Sequence, residues 1–254
     1  MNLFKSFLVA LSTYSRVPVP NFEWNEKNMK YAICFLPSVG VLCGGLLFGW
    51  YVLCGAVGIS NFFFSIIAVC IPVLITGGIH IDGYMDTVDA LSSYQDRERK
   101  LEILKDPNCG AFAVIYCIVY ILLDVALMYE LYNLSSIIAI CPVFVLSRTL
   151  SVICAVNIPN ARKNGMLHSY TENAERKKVN AVMIIVAVIT SVLLVAISPV
   201  AGGLIAICAL ICVVLYFRMV KKEFGGVTGD TAGFFLQICE LFCMIGAWIG
   251  ALLI

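Results

Sequence analysis

The sequence has little charge for a chain of 254 residues. Only 13% of its residues are charged and 61% are hydrophobic, whereas soluble domains average about 25% charged and about 45–50% apolar residues. This shortage of charge excludes an ordinary soluble domain. The chain also lacks a basic stripe with interleaved aromatic residues, which argues against nucleic acid as a partner.

The twelve cysteines include no CxxC motif. The pairs Cys208/Cys212 and Cys239/Cys243 are spaced for one helix face, but no histidine or further thiolate lies near them in the sequence. We predict free buried thiols here and not a metal site. The apolar run at the N-terminus is not followed by a small-residue cleavage pattern, which argues against a cleavable signal peptide.

Long hydrophobic runs, by contrast, are abundant. A membrane helix needs roughly 20 predominantly apolar residues to cross a hydrocarbon core about 30 Å thick. The sequence therefore predicts an all-α fold, a polytopic membrane helical bundle in a single domain over residues 1–254. About seven transmembrane helices are expected, at 31–54, 60–79, 109–132, 134–158, 179–197, 199–220 and 231–254.

Residues 3–18 are apolar at first but carry several polar side chains in their second half. A full crossing would bury this polarity in lipid, so we predict an N-terminal interfacial or re-entrant helix. Further along the chain, Arg148 and Glu240 lie inside apolar stretches, with Gln237 one turn before Glu240. Such residues are costly in a membrane unless they are paired, and we predict that both give internal polar support.

Lysine and arginine occur in alternate connections between the apolar stretches. They are present in loops 80–108 and 159–178 and before residue 230, and they are absent near 55–59, 132–135 and 197–203. Cytoplasmic loops of membrane proteins are enriched in these residues. The sequence thus predicts a membrane protein whose polar loops face the cytoplasm.

The segment GGIHIDGYMDTVDAL, residues 77–91, places three aspartates directly after an apolar stretch. Asp82, Asp86 and Asp89 are spaced i, i+4, i+7, so a helix would present all three on one face. If the helix begins near Gly83, Asp82 is instead an N-cap and the other two remain neighbours. A solvated first helical turn is the alternative interpretation.

Carboxylates held this close repel one another unless a cation lies among them. Mg²⁺ prefers oxygen ligands and is usually bound by one or two carboxylates together with substrate phosphates and water. Gly77 and Gly78 would let the backbone approach such a ligand closely. The segment therefore predicts a site for Mg²⁺ and a phosphate or pyrophosphate. His80 is either an ordinary hydrogen-bonding residue or a participant in this site.

A second acidic and glycine-rich segment, EFGGVTGDTAG at 223–233, precedes the last apolar stretch. A helix that starts after it would direct amide N–H groups toward an anion. Thr228, Gly229 and Asp230 are candidate site residues, although Asp230 can also be read as an N-cap. We expect the two acidic segments to converge on one site.

Basic residues beside these segments are candidate phosphate ligands. Lys105 either contacts a phosphate or extends to the lipid headgroups. Arg162 and Lys163, with His168, offer similar phosphate partners, although the positive-inside pattern alone explains the two basic residues.

Taken in order, the motifs resemble the adenosylcobinamide-GDP ribazoletransferases, also called cobalamin synthases. The resemblance covers most of the chain, and Ala90 and Ala113 are small departures from the pattern, where glycine is more common. It is carried by STYSRVPVP at 12–20, FLPSVGVLCG at 35–44, GGIHIDGYMDTVDAL at 77–91, KDPNCGAFAV at 105–114, SR at 147–148 with ARKNGM at 161–166, and GGVTGDTAG at 225–233.

The resemblance implies a Mg²⁺-dependent transfer from adenosylcobinamide-GDP to α-ribazole or its 5′-phosphate, giving adenosylcobalamin or its 5′-phosphate and GMP. As a mechanistic hypothesis, Asp82 and Asp86 hold Mg²⁺ on the pyrophosphate, and Asp230 completes the metal shell or positions the second substrate. Asp89 or His80 would accept the proton of the attacking hydroxyl. Formation of a homo-oligomer stays open.

Two other functions remain as alternatives. Another Mg²⁺-dependent membrane phosphotransferase, of the CDP-alcohol type, would need an arginine that DGYMDTVDAL lacks. A cation transporter would place its acids near the bilayer midplane. The four aspartates of the two acidic segments instead fall at the predicted cytoplasmic ends of their apolar stretches, which argues against transport.

Overall fold

The computed structural model of the chain describes residues 3–20, 29, 31–172 and 174–253. These residues form helices joined by short connections, and no strand occurs among them. The N-terminal half contains α1 (Leu3–Tyr14), a 3₁₀ turn (Ala32–Phe35), α2 (Leu36–Val57), α3 (Asn61–Thr76), α4 (Ile79–Ser92), α5 (Arg97–Ile103) and α6 (Ala111–Glu130). The C-terminal half contains α7 (Leu134–Ile140), α8 (Val143–Asn157), α9 (Met166–Glu172), α10 (Arg176–Ile197), α11 (Pro199–Glu223) and α12 (Gly229–Leu252).

The lengths and composition of these helices fit a polytopic membrane bundle. Among the described residues six helical segments are long and apolar enough to cross a membrane, and α7 and α8 together form one of them. The number rises to seven if α3 and α4 form one bent span. The prediction of about seven transmembrane helices is therefore confirmed if α3 and α4 are counted as one bent span. At 12 residues, α1 is about 18 Å long, too short to cross the hydrocarbon core alone.

The chain turns sharply between α3 and α4, at an angle of 95°. Gly77 (φ 65°) and Gly78 (φ 81°) both adopt the left-handed conformation, which glycine tolerates without steric cost. Gly77 caps the C-terminus of α3, and Gly78 is the N-cap of α4. The predicted boundaries are wrong here: the apolar helix ends at Thr76, and much of loop 80–108 is helical.

The predicted crossing at 134–158 also consists of two helices. Asn133 caps α7, because its Oδ1 accepts a hydrogen bond from Ser136 N–H at 2.9 Å. The break before α8 contains Pro142, which lacks the N–H needed to continue a helical ladder. The helix resumes at Val143, and Leu134–Asn157 remains one apolar segment of 24 residues that is long enough to cross a membrane.

The helices divide into central and peripheral members. In the most apolar stretch of α7–α8 72% of the residues are buried, and in α12 61%, compared with 22% in α6 and 17% in α10. A large hydrophobic core joins side chains from α2, α3, α8, α11 and α12. The apolar side chains of α6 and α10 that stay exposed form the surface for lipid, since a membrane removes the cost of exposing them.

A buried ion pair links the two central helical segments. Arg148 of α8 and Glu240 of α12 meet at 2.5 Å with side chains 1% and 7% exposed. Ser147 donates to the same carboxylate oxygen at 2.8 Å, and Arg148 donates to Phe144 O at 3.0 Å. The predicted need for internal partners is thus met by pairing the two residues with each other.

Candidate active site

The two acidic segments meet where α4 crosses α12. The Cα of Gly83 faces α12 so closely that a Cβ there would lie 2.7 Å from Asp230 O. Opposite it, a Cβ on Gly233 would lie 3.0 Å from His80 O. Small residues at a crossing let two helix backbones approach each other. The two acidic segments therefore lie together, as expected, and their role as one site stays a prediction.

The three aspartates of α4 all lie on that helix, as the i, i+4, i+7 spacing predicts. The helix begins at Ile79 with Gly78 as its N-cap, so the alternative in which Asp82 caps the helix is excluded. Asp82, Asp89 and Asp230 all act electrostatically on Asp86, and Arg162 is the cation that opposes them. The cluster therefore combines four carboxylates with one guanidinium.

Asp230 belongs to the first turn of α12 but does not cap it. The N-cap is Thr228, whose side chain accepts from Thr231 N–H at 3.1 Å, while Thr231 Oγ1 accepts from Thr228 N–H at 2.9 Å. Thr228 Oγ1 also donates to Asp230 Oδ2 at 3.3 Å. Because the cap is satisfied by threonines, the carboxylate of Asp230 is available to the site.

Arg162 is held beside Asp230 by contacts at both ends of its guanidinium. Its Nη1 lies 3.6 Å from Asp230 Oδ2, and its Nη2 donates to Leu101 O at 2.7 Å. The neighbouring Asn160 forms a parallel bridge with Val227 in the glycine-rich turn. These contacts attach the loop after α8 to the start of α12.

The segment around α5 docks on the same end of the bundle. Arg97 donates to the carbonyl oxygens of Lys221 and Lys222 at 3.2 and 3.3 Å, and Lys100 pairs with Glu223 at 2.5 Å. The three regions with a predicted cytoplasmic location, 80–108, 159–178 and the approach to residue 230, therefore lie against one another.

A cavity of about 290 Å³ lies beside the acidic cluster; we call it the enclosed cavity because it is less open than the second space described below. Its inner walls are mainly apolar, and its rim carries Asp82, Asp230 and Arg162. His80 also lines it; this side chain is 6% exposed, and its Nε2 has no hydrogen-bond partner among the described residues. Further lining residues include Tyr14, Ile33, Leu36, Val152, Ala155, Leu167, His168, Thr228, Gly229 and Leu236.

A second space, which we call the open cleft, has a volume of about 650 Å³ and lies on the other side of Asp82. Gly77 and Gly78 line this cleft and not the enclosed cavity. Arg16 lines it too, and the Arg16 side chain packs on Gly77. The cleft is completed by Ser12, Thr13, Ser15, Thr76, Ile79, Ile81, Asp82 and Met85.

Three predicted site residues line neither space: Asp86, Asp89 and Lys105. Lys105 is exposed and lines neither of them. It precedes a turn in which Asn108 donates through its backbone and side chain to Asp106 Oδ1, at 2.9 and 2.7 Å, which lowers the pKa of Asp106. Asp89 has its carboxylate against Gly110 at the N-terminus of α6, where the helix dipole favours a negative charge.

The donor set of the acidic cluster fits Mg²⁺ only in part. Among the described residues no group of three or more His, Cys, Asp and Glu side chains is placed to hold a metal ion by itself. Mg²⁺ is commonly bound by one or two carboxylates, with substrate phosphates and water as further ligands. Asp82 and Asp230 present carboxylate oxygens of this kind at the enclosed cavity, and Asp86 lies near both of them but lines neither space.

Sequence reasoning gave no site role to two residues that the structure makes prominent. Arg16 is one of the polar residues in the second half of 3–18, and its place within STYSRVPVP was the available signal. Asp124 of α6 is 7% exposed with Oδ1 lacking a hydrogen-bond partner in the described part of the chain, and it lies near Glu240. A single acid in the middle of the apolar stretch 109–132 was the available signal.

The bundle and its acidic site define a polytopic helical membrane protein with a site suited to phosphate chemistry. The chain belongs to the cobalamin-5-phosphate synthase family, whose model matches residues 6–248. This membership removes the CDP-alcohol and transporter alternatives.

Three relatives show how far the similarity extends. All three are described as adenosylcobinamide-GDP ribazoletransferase. The one from Lachnoclostridium phytofermentans is 42% identical over 241 residues, covering 95% of this chain and 92% of the relative. That of Clostridium botulinum strain Alaska E43 is 32% identical, covering 97% and 98%, and that of Alkaliphilus oremlandii is 30% identical, covering 96% and 97%. No solved structure matches the chain.

Proposed function

We propose that this protein is an adenosylcobinamide-GDP ribazoletransferase of cobalamin biosynthesis. It transfers the adenosylcobinamide-phosphate part of adenosylcobinamide-GDP to α-ribazole or α-ribazole 5′-phosphate and releases GMP. The observation that carries the proposal is the meeting of both acidic segments and Arg162 at the rim of an enclosed cavity, in a chain of this family. Carboxylates and a guanidinium at the mouth of a largely apolar cavity suit a phosphate group that is joined to an organic acceptor.

The reaction is a single displacement at phosphorus. The ribose 3′ oxygen of the ribazole forms a bond to the phosphorus attached to cobinamide, and the bond from that phosphorus to the bridging oxygen breaks. The bridging oxygen leaves with GMP and keeps the electron pair. The hydroxyl proton passes to a base of the protein. Such reactions depend mainly on positioning and on stabilisation of negative charge.

Bound Mg²⁺ would neutralise charge on the pyrophosphate and on the leaving nucleotide. Asp82 and Asp86 would hold it, with Asp230 as the third carboxylate. Arg162 compensates part of the negative charge of this cluster, and its hydrogen bond to Leu101 O fixes its direction. Thr228 keeps Asp230 oriented through its hydroxyl.

His80 is the better placed of the two candidate bases. It lines the enclosed cavity, and its Nε2 is buried without a hydrogen-bond partner among the described residues. The carboxylate of Asp89 lies against Gly110, outside both spaces. We assign proton acceptance to His80 and electrostatic support of the cluster to Asp89.

The proposed location is a bacterial or archaeal cytoplasmic membrane, with the site facing the cytoplasm. The basic connections gather at one end of the bundle through the contacts of Arg97, Lys100 and Arg162. At the connection 132–135, which contains no lysine or arginine, Tyr132 packs on Tyr51 and Phe64, with ring centroids 5.3 and 4.8 Å apart. This asymmetry supports the orientation given by the positive-inside rule.

The test uses purified protein in detergent or liposomes with adenosylcobinamide-GDP, α-ribazole and Mg²⁺. GMP release and corrinoid product are measured together. We expect Asp82→Asn and Asp86→Asn to lower turnover on the order of 100- to 1,000-fold, because each removes charge stabilisation at the transferred phosphoryl group.

Glu102→Gln is the matched control, since it removes a carboxylate that is 63% exposed in α5 and outside the site. It should retain full turnover. A folded wild-type protein that makes no product from intact substrates would refute the proposed activity. Turnover in both aspartate variants close to that of Glu102→Gln would remove the acidic cluster from the reaction.

A further inference from the structure

Asp82 and Ile79 line both the enclosed cavity and the open cleft. The two spaces therefore adjoin at the first turn of α4, and Asp82 is the charged residue at their junction. A reaction that joins two substrates and releases a nucleotide needs this kind of arrangement, in which two binding spaces share one reactive position.

The walls of the two spaces differ in chemistry. The inner part of the enclosed cavity is formed by Ile33, Leu36, Val152, Ala155 and Leu236. The open cleft instead presents three serine or threonine side chains from the end of α1 and beyond it, the Gly77–Gly78 turn and Arg16. Among the described residues that line the cleft, Arg16 is the only basic one.

We propose that the open cleft binds the guanosine phosphate part of the donor through Arg16, and that the enclosed cavity binds the acceptor nucleoside. This inference rests on the proposed function and adds a division of the two substrates between the two spaces. It also gives Arg16 a role as a ligand of the nucleotide phosphate.

The position of Arg16 is set by the turn between α3 and α4. Its backbone N–H donates to Ile75 O at 2.7 Å, which ties the segment after α1 to the end of α3. Its side chain crosses Gly77, where any Cβ would collide with the guanidinium arm. Gly77 is thus required both for the turn and for the path of this side chain.

The guanidinium of Arg16 has no hydrogen-bond or ion-pair partner among the residues that the structure describes. Arginine binds phosphate oxygens through two parallel N–H groups, and such charge-assisted contacts are the strong ones. The amide N–H groups at the start of α4 lie beside it, and they add positive potential. Together these groups suit the phosphate that leaves with GMP.

Size decides which substrate enters the enclosed cavity. Its volume of about 290 Å³ is at the lower end of the roughly 300–1,000 Å³ typical of small-molecule sites. A nucleoside with a flat aromatic base fits that scale, with the base against the apolar end and the ribose at the acidic rim. The corrinoid macrocycle is several times larger and must stay outside, which leaves the donor on the side of the open cleft.

This division gives the displacement a direction. The ribose hydroxyl approaches phosphorus from the enclosed cavity, and GMP departs into the open cleft on the opposite side of Asp82. Phosphoryl transfer places the attacking and leaving oxygens roughly in line. Arg16 then stabilises charge on the leaving group, while the acids and Arg162 stay with the transferred phosphoryl group.

Arg16→Gln tests the cleft. We expect the KM for adenosylcobinamide-GDP to rise about 10- to 100-fold, as for the loss of hydrogen bonds to a charged group, while the KM for α-ribazole stays unchanged. Direct binding of GMP to the purified protein should weaken by the same factor. The GMP affinity of Arg16→Lys should fall between those of wild type and Arg16→Gln, because lysine keeps the charge but loses the two parallel N–H groups of arginine. Arg99→Gln, at a residue whose side chain is 61% exposed in α5, is the matched control and should change the KM of neither substrate.

Ala155→Leu tests the enclosed cavity by filling its apolar end, with Ala155→Val as a milder change if the first does not fold. Here the KM for α-ribazole should rise and GMP binding should stay at the wild-type value. An equal rise in both KM values for Arg16→Gln, or an effect of Ala155→Leu on GMP binding, would overturn the division.

GMP binding separates this inference from the proposed function, because it needs no turnover. Suppose that the wild-type protein binds GMP but shows no transferase activity, and that Arg16→Gln weakens GMP binding. The proposed function then fails and the nucleotide site stands. If turnover is normal and Arg16→Gln keeps both its donor KM and its GMP affinity, the proposed function stands and the role of Arg16 is refuted.

Discussion

At the scale of single residues, the charged side chains of this protein fall into two groups with different surroundings. Arg148 and Glu240 are buried in the bundle and satisfy each other, with Ser147 as a third member. Asp82, Asp230 and Arg162 sit at the rim of a cavity, where they are partly exposed and able to meet a ligand. Burial with a partner marks the first group as structural, and partial exposure beside a cavity is what the proposed function requires of the second.

The buried pair leads to a stability prediction. Glu240→Gln should lower the free energy of unfolding by about 3–5 kcal/mol, because it leaves the guanidinium of Arg148 buried without a countercharge. Replacing both residues by methionine should recover much of that loss. The measurement is thermal and denaturant unfolding in one detergent, followed by helix content.

The exposed pair Arg99–Glu102, with side chains 61% and 63% exposed, is the control. Glu102→Gln should change stability by no more than about 1 kcal/mol, since exposed ion pairs contribute little. Equal stability of Glu240→Gln and Glu102→Gln would contradict the structural role of the buried pair.

At the scale of helices, the crossing of α4 over α12 creates the site. The 95° turn at Gly77–Gly78 directs α4 across the bundle instead of along α3. The close approach at Gly83 then places the acids of α4 beside Asp230. Neither acidic segment forms the cluster alone, because α4 contributes its aspartates and α12 contributes Asp230.

Gly83→Ala is the test of this crossing. A Cβ would lie 2.7 Å from Asp230 O, so the helices must separate and the acids with them. We expect a loss of stability of about 1–3 kcal/mol, as for overpacking, with a fall in turnover. Unfolding and GMP release are measured on the same preparation.

Gly45→Ala makes the same change in α2, where a new Cβ meets nothing within 4 Å. It should leave turnover intact and keep or slightly raise stability, since alanine favours a helix over glycine by roughly 0.5–1 kcal/mol. Wild-type behaviour of Gly83→Ala would show that the crossing is looser than the structure indicates.

At the scale of the whole molecule, the protein separates a polar end from an apolar body. The contacts between α5, the loop after α8 and the end of α11 gather the basic connections at the end that carries both binding spaces. The substrates of the proposed reaction are large, polar and water-soluble at the nucleotide side. A site at this end can receive them without moving charge into lipid.

A native cysteine gives a direct test of orientation. Cys109 is exposed, whereas the other eleven of the twelve cysteines are buried or partly buried. It lies directly after the region 80–108 and two residues before α6, so a membrane-impermeant maleimide should label inside-out vesicles strongly and right-side-out vesicles weakly. Labelling is measured by mass shift of the purified chain.

Cys109→Ser should abolish this labelling. Adding Ser135→Cys, an exposed position at the opposite end, should restore it in right-side-out vesicles only. The reverse pattern for the two cysteines would invert the proposed orientation and place the site outside the cytoplasm.

Several features were determined by the sequence alone. The lack of charge and the length of the apolar runs fixed a helical membrane bundle, because each crossing is a local property of about 20 consecutive residues. The i, i+4, i+7 spacing placed the aspartates of α4 on one helix because a helical face is also local. The order of the motifs supplied the family in the same way.

Only the tertiary structure decided what depends on distant parts of the chain. It paired Arg148 with Glu240, turned α4 by 95° at two left-handed glycines, placed Asp89 against Gly110 and left Lys105 away from both spaces. It also brought Arg16 to the Gly77–Gly78 turn and formed two spaces that adjoin at Asp82. Sequence spacing carries no information on such contacts, because they arise where helices far apart in the chain pack and exclude one another's side chains.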